Sequence, residues 1–289
     1  MSRKTEWYIC CVLVLGAIGS FFIVRGPAYA DGLLHVYFLN IGQGDAILIQ
    51  APEGTQILID GGPGSRVIQE LAAVLPVTDR TIDVVVSTHT DADHLTGLVE
   101  VLKQYEVSQV LETGMLCVTA ICGQWEQTAS LEGAPQTFVD RGYRMSIGDD
   151  LVFEVLNPAE QVRGQKLSKT NNGGIVMRMS YKQQTVLFMS DVEKTVEDRI
   201  LMDYHNVDID FLKVAHHGSK TSTSQAFLDA TSPIAAFIQV GARNSYGHPT
   251  SQVIERLDKI PGLRYYRNDI NGRIELTLDG LQYAIKTEH

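Results

Sequence analysis

The chain reads as an α/β protein built from two β-sheets whose outer faces are covered by helices. Three observations predict it. A unit of apolar strand, polar loop and helix recurs along the sequence, antiparallel hairpins are inserted between these units, and 44% of the 289 residues are hydrophobic, enough for a sizeable core. Glycine, at 25, favours tight turns between many short elements.

The elements follow in order. Residues 1–30 read as a signal peptide: Arg3 and Lys4 precede an apolar run from Trp7 to Val24, and Ala28-Tyr-Ala30 offers a cleavage site before Asp31. An uncleaved membrane anchor is the alternative, and no later stretch is apolar enough to span a bilayer. The segment 31–289 is read as one domain, secreted or otherwise extracytoplasmic. Residues 35–39, 46–50 and 56–59 alternate as a three-stranded meander. The turn Asn40-Ile-Gly-Gln-Gly-Asp45 lacks the spacing of a nucleotide-binding fingerprint, so Gly42 and Gly44 are read as turn residues that let the backbone approach a site. Asp60 ends the third strand before Gly61-Gly62, where a carboxylate is placed to orient a neighbouring ligand loop.

A helix over 67–75 is followed by the strand 83–87, which runs into His89, Asp91, Asp93 and His94. Leu95, Leu98, Val101 and Leu102 then recur at helical spacing. Four metal-competent side chains within six residues, at the end of a strand too apolar to lie on the surface, call for a cation. A strand at 107–111 leads into 114–135, which has no clear period and carries Cys117 and Cys122; a short-loop disulfide and two free buried thiols both fit that spacing. Strands at 137–145 and 151–156 flank Gly148-Asp-Asp150, and 158–167 reads as an exposed loop. A hairpin over 175–180 and 185–189 ends at Asp191, followed by a helix over 192–202. The strand 209–214 ends at His216-His217, and the strand 234–240 leads to His248-Pro249 and a helix with Val253, Leu257 and Ile260 on its apolar face. A strand at 263–266 and a hairpin over 272–285 close the chain.

Metal-competent residues thus recur where apolar strands end: His89, Asp91, Asp93 and His94, then Asp191, then His216 and His217, then His248. His35, His205 and His289 lie outside that pattern and read as ordinary polar residues. Charge limits the partners. Removing Arg3, Lys4, Arg25 and Glu6 with the leader leaves 21 basic and 33 acidic residues, a net charge near −12. Bulk attraction of polyanions is therefore not favoured, no stable nucleic-acid partner is expected, and an anionic substrate would bind locally, at cations that invert the potential of the site. Oligomeric state is not legible.

The same stretches carry a resemblance. Residues 35–46, Leu58-Ile-Asp-Gly-Gly62, Ser87-Thr-His-Thr-Asp-Ala-Asp-His-Leu-Thr-Gly97, Leu187-Phe-Met-Ser-Asp191, Val214-Ala-His-His-Gly-Ser-Lys-Thr-Ser222 and Val240-Gly-Ala-Arg-Asn-Ser-Tyr-Gly-His-Pro249 resemble the metallo-β-lactamase-fold hydrolases, and within them the extracytoplasmic hydrolase domain of ComEC-type competence proteins. The resemblance implies a four-layer αββα sandwich with a two-metal site between the sheets. It implies His89 and Asp91 on the first metal, Asp93 and His94 on the second with His216 or His217 (His216 preferred), and Asp191 bridging both. Asp91 stands where the broad superfamily has His, and Asn171 and Asn172 stand where it has a further His. An oxygen-rich first site admits Zn or Mn and tilts the preference toward Mn.

The chemistry implied is attack by a water activated between two divalent cations, with Asp93 orienting it and His217 and His248 serving the phosphate or the leaving group. Ser219 and Asn244, beside Lys220 and Arg243, would add donors. That set favours a phosphodiester, extracellular DNA included, over a lactam, lactone or thioester; a non-catalytic binding module on the same fold is the remaining alternative.

Overall fold

The computed structural model describes residues 31–289. The expected leader at 1–30 lies outside them. Along the first half, β1 (Leu34–Phe38), β2 (Ile47–Gln50), β3 (Gln56–Ile59), α1 (Arg66–Val74), β4 (Thr81–Ser87), α2 (Ala92–Leu102), β5 (Glu106–Glu112), α3 (Ala120–Glu132) and β6 (Gln136–Phe138) follow one another. The second half holds β7 (Arg144–Ile147), β8 (Leu151–Asn157), β9 (Val176–Tyr181), β10 (Gln184–Phe188), α4 (Lys194–Asp203), β11 (Phe211–Lys213), α5 (Gln225–Thr231), β12 (Ala235–Ile238), α6 (Ser251–Asp258), β13 (Arg264–Arg267), α7 (Asn268–Asn271), β14 (Ile274–Leu278) and β15 (Tyr283–Thr287).

The strands form two sheets, one ordered β15-β14-β1-β2-β3-β4-β5-β6 and the other β13-β12-β11-β10-β9-β8-β7. Three apolar clusters define the layers. Leu34, Val36 and Phe38 of β1 face Val186 and Phe188 of β10 between the sheets, while Tyr37 and Leu187 point the other way into the outer layers, as the two-residue period of a strand requires. On the first sheet's outer face Val67, Leu71, Leu95, Leu98, Trp125 and Ala129 bring in α1, α2 and α3. On the second, Val196, Ile200, Phe227, Leu228, Val253 and Leu257 bring in α4, α5 and α6. The result is the four-layer αββα sandwich expected from the sequence.

Parallel pairing places the site. β3, β4 and β5 run parallel in one sheet, and β10, β11 and β12 run parallel in the other. Their carboxyl ends meet at one edge of the sandwich, the position where open α/β sheets gather ligands.

One expectation needs correction, and one open stretch is settled. The stretch 137–145 is two strands in different sheets: β6 pairs parallel with β5 and β7 antiparallel with β8. The chain crosses between them at Asp140-Arg-Gly142, where Gly142 takes φ +91°. The stretch 114–135 holds α3, and its Cys117 and Cys122 are disulfide-bonded. Among the described residues no helix is long and apolar enough to cross a membrane.

Candidate metal centre

Each sheet contributes loops that leave a parallel strand at its carboxyl end. After β4 the chain passes through Thr88 and His89, and Asp91 stands extended at the N-cap of α2, whose first turn carries Asp93 and His94. After β10 it turns at Ser190 (φ +48°) into Asp191. After β11, His216 (φ +50°) and His217 (φ +52°) adopt left-handed backbone in succession. Non-glycine residues rarely hold that conformation, and a run of two is kept only where surrounding contacts demand it. Gly44 (φ +135°) is required by close approach: a Cβ there would stand 2.1 Å from the carbonyl oxygen of Asp93.

The structure brings together Asp93, His94, Asp191 and His217, whose ligand atoms all lie within 4.8 Å of one another. His94 Nε2 and His217 Nε2 stand 3.2 and 3.1 Å from Asp191 Oδ2, and His217 Nε2 is 3.4 Å from Asp93 Oδ2. His89 adjoins this group, its ring centroid 4.1 Å from that of His94; its Nε2 is 3.9 Å from Asp91 Oδ2. Asp60, His89 and His94 likewise have ligand atoms within 4.8 Å of one another. Asp60, however, already accepts hydrogen bonds from Thr88 N, Thr88 Oγ1 and His94 Nδ1, so it orients the ligand loop.

The hydrogen-bond network fixes which imidazole nitrogens are left over. His94 Nδ1 donates to Asp60 Oδ2 at 2.8 Å, and His217 Nδ1 to the Gln239 carbonyl at 2.9 Å. His89 Nδ1 donates to Thr88 Oγ1 at 3.0 Å, since that hydroxyl gives its own hydrogen to Asp60. The three Nε2 atoms are buried and have no hydrogen-bond partner, and neither has Asp191 Oδ1. Buried polar atoms left unpaired in this way need a partner. Charge points to the same kind of partner: among the described residues the carboxylates of Asp45, Asp60, Asp91, Asp93 and Asp191 face one ammonium, that of Lys213, which pairs with Asp45 and lies 3.8 Å from Asp191 Oδ1. The residues present therefore fit divalent cations.

Proton affinities record the same field. Burial acts to lower the pKa of His94 and His217, yet Asp191, with Asp60 for the first and Asp45 for the second, raises both well above 6.5. Burial likewise acts to raise Asp93 and Asp191. The contact with His217 and the charge of His94 outweigh it, bringing Asp93 to about 2 and Asp191 well below the usual carboxylate range. Each raised imidazole has only Nε2 free, so a proton and a metal compete for one atom.

His216, the expected ligand, stands farther from the cluster than His217. His217, which is 1% exposed, sits in the four-residue group. His216 Nε2 is 3.9 Å from Asp191 Oδ2 and 3.5 Å from Asn171 Nδ2, and its Nδ1 has no hydrogen-bond partner to fix the ring. Asn171 faces the site, whereas Asn172 turns away to Glu193. His248 is half-buried, its ring edge-on to His216 at 5.7 Å; burial, reinforced by His216, lowers its pKa. Asn244 spends its side chain on Gly241 O, His248 O and His248 N, fixing the loop. Ser219 Oγ bonds Thr221 Oγ1 within its own turn. His35 lies elsewhere, paired with Glu275.

Sequence reasoning missed Asp45, Lys213 and Gln239 as supports. Lys213 carried a readable signal: a lone lysine within the apolar strand that ends at the His pair. Fully buried, it is held by Asp45 and by the Ser190 carbonyl at 3.2 Å.

The family model described as the metallo-beta-lactamase superfamily matches residues 39–241. Among curated proteins, ComE operon protein 3 of Bacillus subtilis (strain 168) is 29% identical over 259 residues, covering 83% of this chain and 32% of that protein. Competence protein ComA of Neisseria gonorrhoeae is 27% identical over 263 residues, 90% of this chain and 35% of that protein. The chain spans about a third of the length of these two relatives. Among solved structures, the metallo-beta-lactamase fold protein YhfI from Bacillus subtilis aligns with a TM-score of 0.52 at 12% identity, over 80% of this chain and 95% of its own. CmlA, a diiron beta-hydroxylase from Streptomyces venezuelae, aligns with a TM-score of 0.51 at 14% identity, over 85% and 54%. At these identities the likeness is one of fold.

Proposed function

The chain belongs to the metallo-beta-lactamase superfamily, and we propose that it is an extracytoplasmic metal-dependent phosphodiesterase acting on nucleic-acid strands. The observation that carries the metal-dependent chemistry is the convergence of the buried, unpartnered Nε2 atoms of His94 and His217 on Asp191, with the unpartnered Nε2 of His89 facing Asp91 beside them. Divalent cations bound at this place would supply an acidified water and positive charge for the phosphate oxygens. In this reading His94, His217, Asp93 and Asp191 would hold one cation, and His89 and Asp91 would hold the other. Zn and Mn are the candidates, and the oxygen-rich set at Asp91, Asp191 and Asn171 favours Mn.

The remaining groups suit a phosphodiester. Asp93, ionised far below neutral pH, orients the water by accepting its hydrogen bond. His217 is occupied by the cluster, which leaves His248 for the substrate. Its lowered pKa favours the neutral imidazole, whose one N–H can donate a hydrogen bond to a phosphate oxygen. The match to a third of a protein named for competence accords with this reading, and the leader-like residues 1–30 support action outside the cytoplasm.

Bis-p-nitrophenyl phosphate, single-stranded DNA and a chromogenic cephalosporin, incubated side by side in Mn and in Zn, test the substrate class. Both phosphodiesters are expected to turn over, faster in Mn, with the cephalosporin untouched. Cephalosporin turnover with neither phosphodiester cleaved would reverse the assignment.

A further inference from the structure

The loop after β12 carries an exposed aromatic ring that the chemistry above does not use. Tyr246 is 68% exposed, and its ring stacks on His248 with centroids 5.7 Å apart and planes 22° from parallel. His248 in turn meets His216, which adjoins Asp191. The three rings form a ladder that runs from the metal centre out to solvent and ends in a free aromatic face.

The ladder stands on a fixed base. Asn244 joins both ends of the loop through Gly241 O, His248 O and His248 N. Gly241 N donates to Gln43 Oε1 at 3.2 Å, and Thr250 N to the Gly218 carbonyl at 2.9 Å. The loop is thereby tied to the first sheet's glycine turn and to the His216–His217 turn. A lone exposed tyrosine is ordinary on a protein surface. This one is held in place by a clamped loop, and three residues earlier in that loop Arg243 is exposed with no hydrogen bond or ion pair among the described residues. A flat ring and a free guanidinium are the two recognition elements for an unpaired nucleotide, the ring taking the base and the cation its phosphate.

We infer that Tyr246 is a nucleobase-stacking subsite, which makes the substrate a single strand with unpaired bases. The inference rests on the phosphodiesterase reading and narrows it. A phosphate at the metal centre leaves its neighbouring base to reach out along the ladder, and stacking on tyrosine is indifferent to which base arrives, because every base has a π-face. In a duplex those faces are covered by neighbouring pairs, so double-stranded DNA has nothing to offer Tyr246 until it is unwound.

Binding can be read apart from cleavage. Fluorescence anisotropy of labelled oligothymidylate of about eight nucleotides, a length within the range of single-strand binding sites, is compared with an abasic oligomer of equal phosphate number. Ca is present as a hard cation for the oxygen-rich site, and salt is held constant. The wild-type chain is expected to bind the base-bearing oligomer about tenfold more tightly than the abasic one. Tyr246→Ala should bring that ratio to about one. In Tyr246→Trp the ratio should survive, with indole fluorescence quenched by oligothymidylate and not by the abasic oligomer.

Equal affinities in the wild type, or a ratio that persists in Tyr246→Ala, would overturn the subsite. Cleavage of both oligomers in Mn without base dependence keeps the phosphodiesterase and rejects the stacking. Base-dependent binding without cleavage in any metal does the reverse.

Discussion

Replacing His217 with glutamine, which removes the imidazole at little loss of volume, is expected to weaken divalent-cation binding by at least about a hundredfold. Phosphodiester hydrolysis should fall by about a thousandfold or more. The basis is geometric. His217 is buried, its Nδ1 is committed to Gln239, and its Nε2 stands 3.1 Å from Asp191 and 3.4 Å from Asp93 with no other partner. Changes one shell further out already cost metal sites about ten- to a hundredfold, and loss of a ligand costs more. His216→Gln should cost about tenfold or less in affinity, because His216 lies 3.9 Å from Asp191 and nothing fixes its Nδ1. Competition with a chromogenic chelator, alongside circular dichroism to confirm folding, measures both variants. The opposite ranking would return the ligand role to His216.

A second large effect concerns the platform beneath the site. Gly97→Ala is expected to destabilise the protein by about 3 kcal/mol or more, the upper part of the range for overpacking. In a helix interior alanine normally gains about 0.5–1 kcal/mol over glycine. Here a Cβ at Gly97 would stand 1.7 Å from Gly61 O, and one at Gly61 would stand 2.3 Å from Leu98 N. Backbone thus meets backbone with no side chain to yield. Gly97 N also donates to Gly62 O, and Gly61 N to His94 O, both at 2.8 Å. Forcing α2 away therefore moves His94 and Asp93, so metal affinity should fall with stability. Gly123, inside α3, is the control: a Cβ there would meet nothing within 4 Å, so its alanine variant should be neutral or slightly more stable. Thermal denaturation of the two variants decides the matter, and an unchanged midpoint for Gly97→Ala would refute the close-approach account.

The candidate site was legible because its metal-competent residues follow apolar strands. His89, Asp191 and the His216–His217 pair each come just after a β-branched or aliphatic run, and parallel strands within a sandwich bring such ends together. The choice between His216 and His217 was not legible. Adjacent residues differ in direction through backbone dihedrals, and both histidines take left-handed φ, which residue type does not announce. The change of sheet between β6 and β7 was hidden for a related reason: Val139 packs between the sheets, and Tyr143 and Met145 pack against the same cluster, so the apolar pattern runs on while the chain changes sheet. In α3 only Cys122, Trp125 and Ala129 are buried, too sparse a stripe to reveal a helix. Asn244 looked like a free donor beside Arg243; its amide turned out to be consumed by backbone groups three and four residues away.

The most direct test of the two-cation account is the metal content of the purified protein, measured by plasma mass spectrometry after equilibration with Mn or Zn and removal of loose ions. Two ions per chain, bound in at least one of the two metals, is the expected result. One ion or none in both would contradict a dinuclear centre at His89, Asp91, Asp93, His94, Asp191 and His217.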